Sequence, residues 1–240
     1  MPLPSDNIFP TTMKRILPFL IILSVLGVAL GSAWYLKRSS SASPKPSSVN
    51  APAPAAPALL APGADPPHIM GAADAPVTLE EFGDFECPPC GQFHPILKKM
   101  QEEFGDKLRV VFREYPIVQV HQHALSAASA AEAAGLQGKF WEMHHLLYDN
   151  QKTWHEQFDV RQTFEGFAKQ IGIDVERFKR DLNGDVVARR ITEDGKRARS
   201  LNVGGTPTVF MNGREMEFPI IINEDKFRDA IKNEIKSAKR

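Results

Sequence analysis

The residues of this sequence best suited to covalent chemistry are Cys87 and Cys90, the only two cysteines in the chain, separated by Pro88 and Pro89. A pair this close in sequence is a poor structural staple, and two cysteines are too few for a disulfide-built scaffold. The pair reads as a working dithiol. At the start of a helix Cys87 meets the positive end of the dipole, which favours its thiolate. Thiolate is the form that attacks a disulfide, and it is also the better leaving group. Cys90, one turn later on the same face, is placed to resolve a mixed disulfide. Pro88 suits the first helical position, and Pro89 removes a second N–H that no helical carbonyl would have used. Position 89 therefore offers the sulfur no donor. The expected Cys87 pKa lies below that of a free thiol but above the low end of the known range, about 3.5.

The elements around the pair are legible from periodicity. Val77 to Phe82 reads as a strand ending at Gly83. After the cysteines, Phe93, Ile96, Leu97, Met100 and Phe104 mark an amphipathic helix that stops at Gly105, with a kink expected at Pro95. Leu108 to Arg113 reads as a second strand, which makes a βαβ unit with parallel strands. A helical stretch follows from about Gln122 to Asn202, divided by Gly135, Gly138, Gly172 and Gly184 into four or five helices. Its Ala-rich first member suits close packing. Thr206 to Met211, the turn Asn212-Gly213 and Arg214 to Glu217 form a β-hairpin, and a helix carrying Phe227, Ile231 and Ile235 closes the chain. The predicted fold class is α/β, thioredoxin-like, with a helical insertion between the βαβ unit and the C-terminal β-hairpin and helix.

The rest of the chain reads differently. Ile16 to Leu36 carries no charge and lies between Lys14-Arg15 and Lys37-Arg38. About 20 apolar residues span a hydrocarbon core, whereas a signal-peptide apolar region is about 7–15 long. Residues 1–38 are therefore expected to form a cytoplasmic tip and transmembrane anchor, with a cleaved signal as the alternative. Residues 39–67, rich in Pro, Ala and Ser, read as a linker. Residues 68–240 form the thioredoxin-like domain, with its insertion at about 117–202. Twenty-nine basic residues balance 29 acidic ones without a basic block, so no nucleic-acid partner is expected.

The run Glu81-Phe82-Gly83-Asp84-Phe85-Glu86-Cys87-Pro88-Pro89-Cys90, paired with Gly205-Thr206-Pro207-Thr208-Val209-Phe210, resembles the DsbA-type thiol–disulfide oxidoreductases of the thioredoxin superfamily. The resemblance implies a cis Pro207 facing the cysteines and a Thr206 backbone that pairs with an extended substrate. It also implies a buried Glu81 beneath Cys90 that moves its proton. Pro88-Pro89 departs from the Pro-His of strongly oxidising members, which leaves the redox direction open.

The expected activity is thiol–disulfide exchange with extracytoplasmic polypeptides in the periplasm or at the cell surface, most simply as a disulfide donor. A reductase or an isomerase of the same fold is the alternative. A membrane redox partner would recycle the cysteine pair, and a monomer is expected. No cofactor is needed, because the cysteine pair holds the electrons. A zinc- or copper-binding protein using Cys87 and Cys90 is the reading from a different class. His94 would be a third ligand, but a closed zinc site needs four, and no metal site is assigned. His121, His123, His144 and His145 read as solvated or core-satisfied, with adjacent helical histidines pointing apart. Phe140, Trp141, Met143, Leu146 and Leu147 read as core of the insertion. Asp84 and Glu86 read as exposed charges that would oppose a nearby thiolate.

Overall fold

Strand β2 (Val77–Gly83) sets the buried apolar residues Val77, Leu79 and Phe82 around two adjacent glutamates, and it lies at the centre of a five-stranded sheet. The computed structural model describes residues 60–238. In sheet order the strands are β1 (His68–Met70), β3 (Leu108–Glu114), β2, β4 (Thr208–Met211) and β5 (Arg214–Glu215). β2 and β3 are parallel, as the βαβ reading requires, with Glu81 opposite Phe112 and Phe82 opposite Arg113. β4 runs antiparallel to β2 and sets Val209 opposite Glu81. The β4–β5 hairpin turns at Asn212 and Gly213, both with positive φ, 48° and 79°, which is why this dipeptide signals a tight turn.

Helix α1 (Pro88–Phe104) joins β2 to a short 3₁₀ turn and β3. Pro95 lies inside α1, and the helix runs unbroken through it. The insertion comprises α2 (Ala124–Gly135), α3 (Phe140–Asp149), α4 (Gln151–Trp154), α5 (Arg161–Gln170), α6 (Val175–Asp181) and α7 (Asp185–Ser200). That is more helices than the glycines alone mark, because Asn150 and the stretch 155–160 also interrupt the run. After the hairpin come α8 (Phe218–Ile221) and α9 (Glu224–Ser237). Neither β1 nor α8 was expected.

Two layers cover the sheet. Val77, Leu79, Phe93, Leu97, Met100 and Phe227 form one apolar cluster between β2, α1 and α9. Phe85 and Phe112 join Ala127, Ala131, Phe140, Leu147 and Trp154 in a second, and the alanines of α2 let the insertion approach closely. Burial at this density is worth about 25 cal/mol per Å² of apolar surface, so the insertion is held to the sheet as one core.

The linker expected to reach residue 67 ends earlier. Asp194 Oδ1 accepts from the Ala64 N–H at 2.7 Å, and Arg113 donates to the Ala64 and Pro62 carbonyls at 2.9 and 3.2 Å. The polar backbone of 61–64 thus has partners in the domain, which a free linker would lack. Among the described residues no helix is long and apolar enough to cross a membrane. The expected anchor and most of the linker lie outside the described residues.

Candidate active site

Cys87 caps α1, with Pro88 and Pro89 in its first two positions. Its backbone is extended, with φ −66° and ψ 119°, so the chain turns from β2 into the helix at the sulfur itself. The Cys87 N–H donates to the Asp84 carbonyl at 3.1 Å, which tightens that turn. Cys87 is 5 % exposed and Cys90 fully buried, and both are thiols. Only one of the two can be reached from outside.

The Thr206–Pro207 bond is cis, and the Cys87 thiol donates to the Thr206 carbonyl at 3.3 Å. Pro207 is buried and Thr206 half-buried. The two segments that carry the sequence resemblance, 119 residues apart here, therefore meet at one atom pair. Glu81 is 2 % exposed on the β2 face that turns towards α1.

The electrostatics separate the two sulfurs. A hydrogen bond from the Cys90 thiol is the chief influence that brings Cys87 down to about 6; bonds from Thr206 and the Cys90 N–H add to it, against burial and the Asp84 charge. Burial first, then the Cys87 bond and the charges of Cys87 and Glu81, push Cys90 well above an ordinary thiol. Burial alone raises Glu81 to about 8, so its carboxyl is protonated at neutral pH. The arrangement sets a sulfur that ionises readily, a buried thiol that resists ionisation and a protonated carboxyl in one site.

Asp84 and Glu86 are buried, which corrects their reading as exposed charges. Asp84 accepts from the Glu86 and Ile117 N–H groups at 2.8 Å each and meets His121 Nδ1 at 2.7 Å. Glu86 Oε2 accepts from the His123 N–H at 2.5 Å. Both carboxylates brace the loop before Cys87 against the 117–123 segment, where backbone donors compensate their burial. Asp84 still opposes the thiolate, as expected of a charge at this place.

Sequence reasoning missed Gln151. Its amide donates to the Phe85 and Cys87 carbonyls at 2.7 and 2.9 Å, so a residue of the insertion fixes the cap from which the sulfur projects. A Cβ on Gly91 would come within 2.3 Å of Gln151 Oε1, which explains the glycine that follows Cys90. Tyr148 was missed as well. Its hydroxyl is buried without a partner, and burial, then the charges of Cys90 and Glu81, raise its pKa well above the phenol range. No local pattern marks either residue, and the loop that Gln151 holds is more than 60 positions away.

A cleft of about 630 Å³ opens beside Cys87, lined by Glu86, Pro88, Gly91, His94, Tyr148, Asp149 and Gln151 among others. Phe140, Met143 and Leu147 are core, as expected, while Trp141 and Leu146 are half-buried. The reading of the paired histidines as diverging fails. The His144 and His145 ring centroids are 5.3 Å apart.

The family model for thioredoxin matches residues 64–238. BdbD from Bacillus subtilis, solved in its oxidised form, superposes with a TM-score of 0.62 at 26 % identity, over 72 % of this chain and 97 % of that one. A thioredoxin-like oxidoreductase from Silicibacter pomeroyi does so at 0.58 and 25 %, over 70 % and 92 %. The catalytic domain of ScsC from Proteus mirabilis shares the fold, with a TM-score of 0.58 at 23 % identity over 71 % of this chain and 89 % of that one. Among curated sequences, proteins named Na(+)/H(+) antiporter NhaA 1 match: that of Salinispora arenicola is 44 % identical over 151 residues and that of Mycolicibacterium vanbaalenii 39 % over 153. The match takes in 62 % of this chain in each case but only 22 % and 24 % of those proteins.

Proposed function

From this chain's membership of the thioredoxin family, on the DsbA-type variant of its fold, we propose that it exchanges disulfides with extracytoplasmic polypeptides, donating them through Cys87 and Cys90. The observation that carries this reading is the accessible Cys87 sulfur at the start of α1, 3.3 Å from the Thr206 carbonyl.

In the donating direction a substrate thiolate attacks Cys87 of the closed disulfide. A mixed disulfide forms and the Cys87–Cys90 bond breaks. Cys90 leaves with the electron pair in a buried place that disfavours its charge, and Glu81, protonated at neutral pH, supplies the proton. A second substrate thiolate then attacks the substrate sulfur and expels Cys87 as a thiolate. Its pKa of about 6 makes it the better leaving group. Substrate backbone would pair at Thr206, held by Pro207. A separate membrane redox partner reoxidises the dithiol. The charge-free run Ile16 to Leu36 supports a membrane-held domain, and the extracytoplasmic side rests on the resemblance to DsbA-type proteins.

The Cys87 thiolate supports the donating direction. A lower nucleophile pKa stabilises the dithiol and makes the disulfide more oxidising. Cys87 lies between the thioredoxin value of about 7 and the DsbA value of about 3.5. The equilibrium reduction potential of the full chain against glutathione should therefore fall between about −270 and −120 mV. A potential at or below about −270 mV would assign a reductase instead.

A further inference from the structure

Three histidines converge where α1 packs on α3. The ring centroids of His94 and His144 are 5.3 Å apart, those of His94 and His145 5.2 Å, and those of His144 and His145 5.3 Å, a nearly equilateral triangle. One potential ligand atom from each lies within 4.8 Å of the other two. His144 is 1 % exposed, and neither of its ring nitrogens has a hydrogen-bond partner. His94 Nε2 and His145 Nδ1 are likewise buried and unpartnered. Four ring nitrogens without partners in one buried place depart from the rule that buried polar atoms are hydrogen-bonded. Asp149 Oδ1 lies 3.4 Å from His94 Nε2.

We propose that His94, His144 and His145, with Asp149 as the fourth ligand, bind one divalent cation of the zinc class. At Zn–N distances of about 2.0–2.1 Å in a tetrahedral site, the centroids of three ligating imidazoles stand roughly 5 Å apart. The observed triangle has that size. Binding would draw the donor nitrogens, now within 4.8 Å of one another, to the spacing of about 3.3 Å that the same geometry requires. Three imidazoles and one carboxylate suit zinc, with the carboxylate closing the site from its exposed side.

Neutral imidazole is the ligating form, and the three rings meet in a buried place that disfavours a charged ring. The positive charge of Lys98 opposes a cation here, and the carboxylates of Asp149 and Glu142 oppose Lys98. His94 and Asp149 line the cleft beside Cys87, which gives a metal ion a way in. Bound there, it would pin the helix that carries both cysteines to the insertion, without using either sulfur.

The test uses the full chain with its disulfide closed, so that no thiolate can bind metal and the outcome is independent of the exchange reading. Titration with Zn²⁺ should give one ion per chain that survives gel filtration, and Co²⁺ should give the visible spectrum of a tetrahedral site without a thiolate charge-transfer band. His145→Asn, at a half-buried position, should weaken Zn²⁺ binding at least a hundredfold. Asp149→Asn, at an exposed position, should weaken it about tenfold, and His155→Asn should leave it unchanged. Retention of Zn²⁺ only after reduction would place the metal on the cysteines and overturn the proposal. So would unaltered binding in the Asp149 variant together with an octahedral cobalt spectrum.

Discussion

Glu80 and Glu81 are neighbours on one strand, yet the fold treats their charges in opposite ways. Side chains alternate across a strand, so Glu81 turns towards α1 and the cysteines while Glu80 turns to the face covered by α7. Glu80 accepts from Arg113 at 2.8 Å and from Arg197 at 2.6 and 2.7 Å. Burial, the largest single influence, pushes its pKa up, but the bonds from Arg197 and Arg113 and their charges together hold it below the usual carboxylate range. Glu81 has burial and no countercharge, and it rises to about 8. Paired charge on one face binds α7 and residues 61–64 to the sheet. The carboxyl on the other, with no charge opposite it, stays protonated at neutral pH. One strand thus separates structure from chemistry by its pleat alone.

The comparison breaks first at Arg113. Arg113→Ala leaves Asp194 and Glu80 short of their shared cation, and urea unfolding should show a loss of about 3–5 kcal/mol. The thiolate absorbance of Cys87 should titrate as before; a pKa moved by a full unit would mean that the two faces are not separable. Glu81→Gln should slow disulfide exchange about a hundredfold in stopped-flow assays, since general acid–base help is of that order, while the fold persists. The same variant sharpens the contrast in stability. A carboxyl raised in the folded state stabilises it only while protonated. Stability of the native sequence should fall as pH rises from about 4.5 to about 8, and Glu81→Gln should flatten that limb. Glu80, depressed, contributes above its unfolded value and is lost as pH falls through its folded one, so Glu80→Gln should flatten the limb below about 4.5. The smallest effect is expected at Gln151. Gln151→Ala removes two bonds to the cysteine cap at a cost of about 1–2 kcal/mol, and alkylation of Cys87 should slow by tenfold or less.

What the sequence made legible was whatever a local pattern writes. The βαβ unit, the hairpin at Asn212-Gly213 and the cysteine pair follow from period, turn chemistry and spacing. Glu81 was found through a family motif, because its six-residue offset from Cys87 says nothing by itself about burial. Asp84 and Glu86 were misread because a carboxylate in a loop looks solvated until its partners, the N–H groups of Ile117 and His123, are brought to it from beyond β3. β1 was missed because three residues carry too little period, and its pairing with β3 is set some forty positions away. The histidine triangle was hidden by the rule that consecutive helical residues diverge. Long side chains from two packed helices can still converge when both lean into one gap.

The grip on residues 61–64 has a mechanical side. Arg113 and Arg197 hold the carbonyls of Ala61, Pro62 and Ala64, while Asp194 and Ser200 hold the N–H groups of Ala64 and Ala61. Any force arriving along the chain from the N-terminal side meets this riveted patch before it meets β1. The load divides among several bonds at once and passes into α7 and the C-terminal end of β3, leaving the edge strand unpeeled. A domain pulled from that side would keep its sulfurs in register throughout.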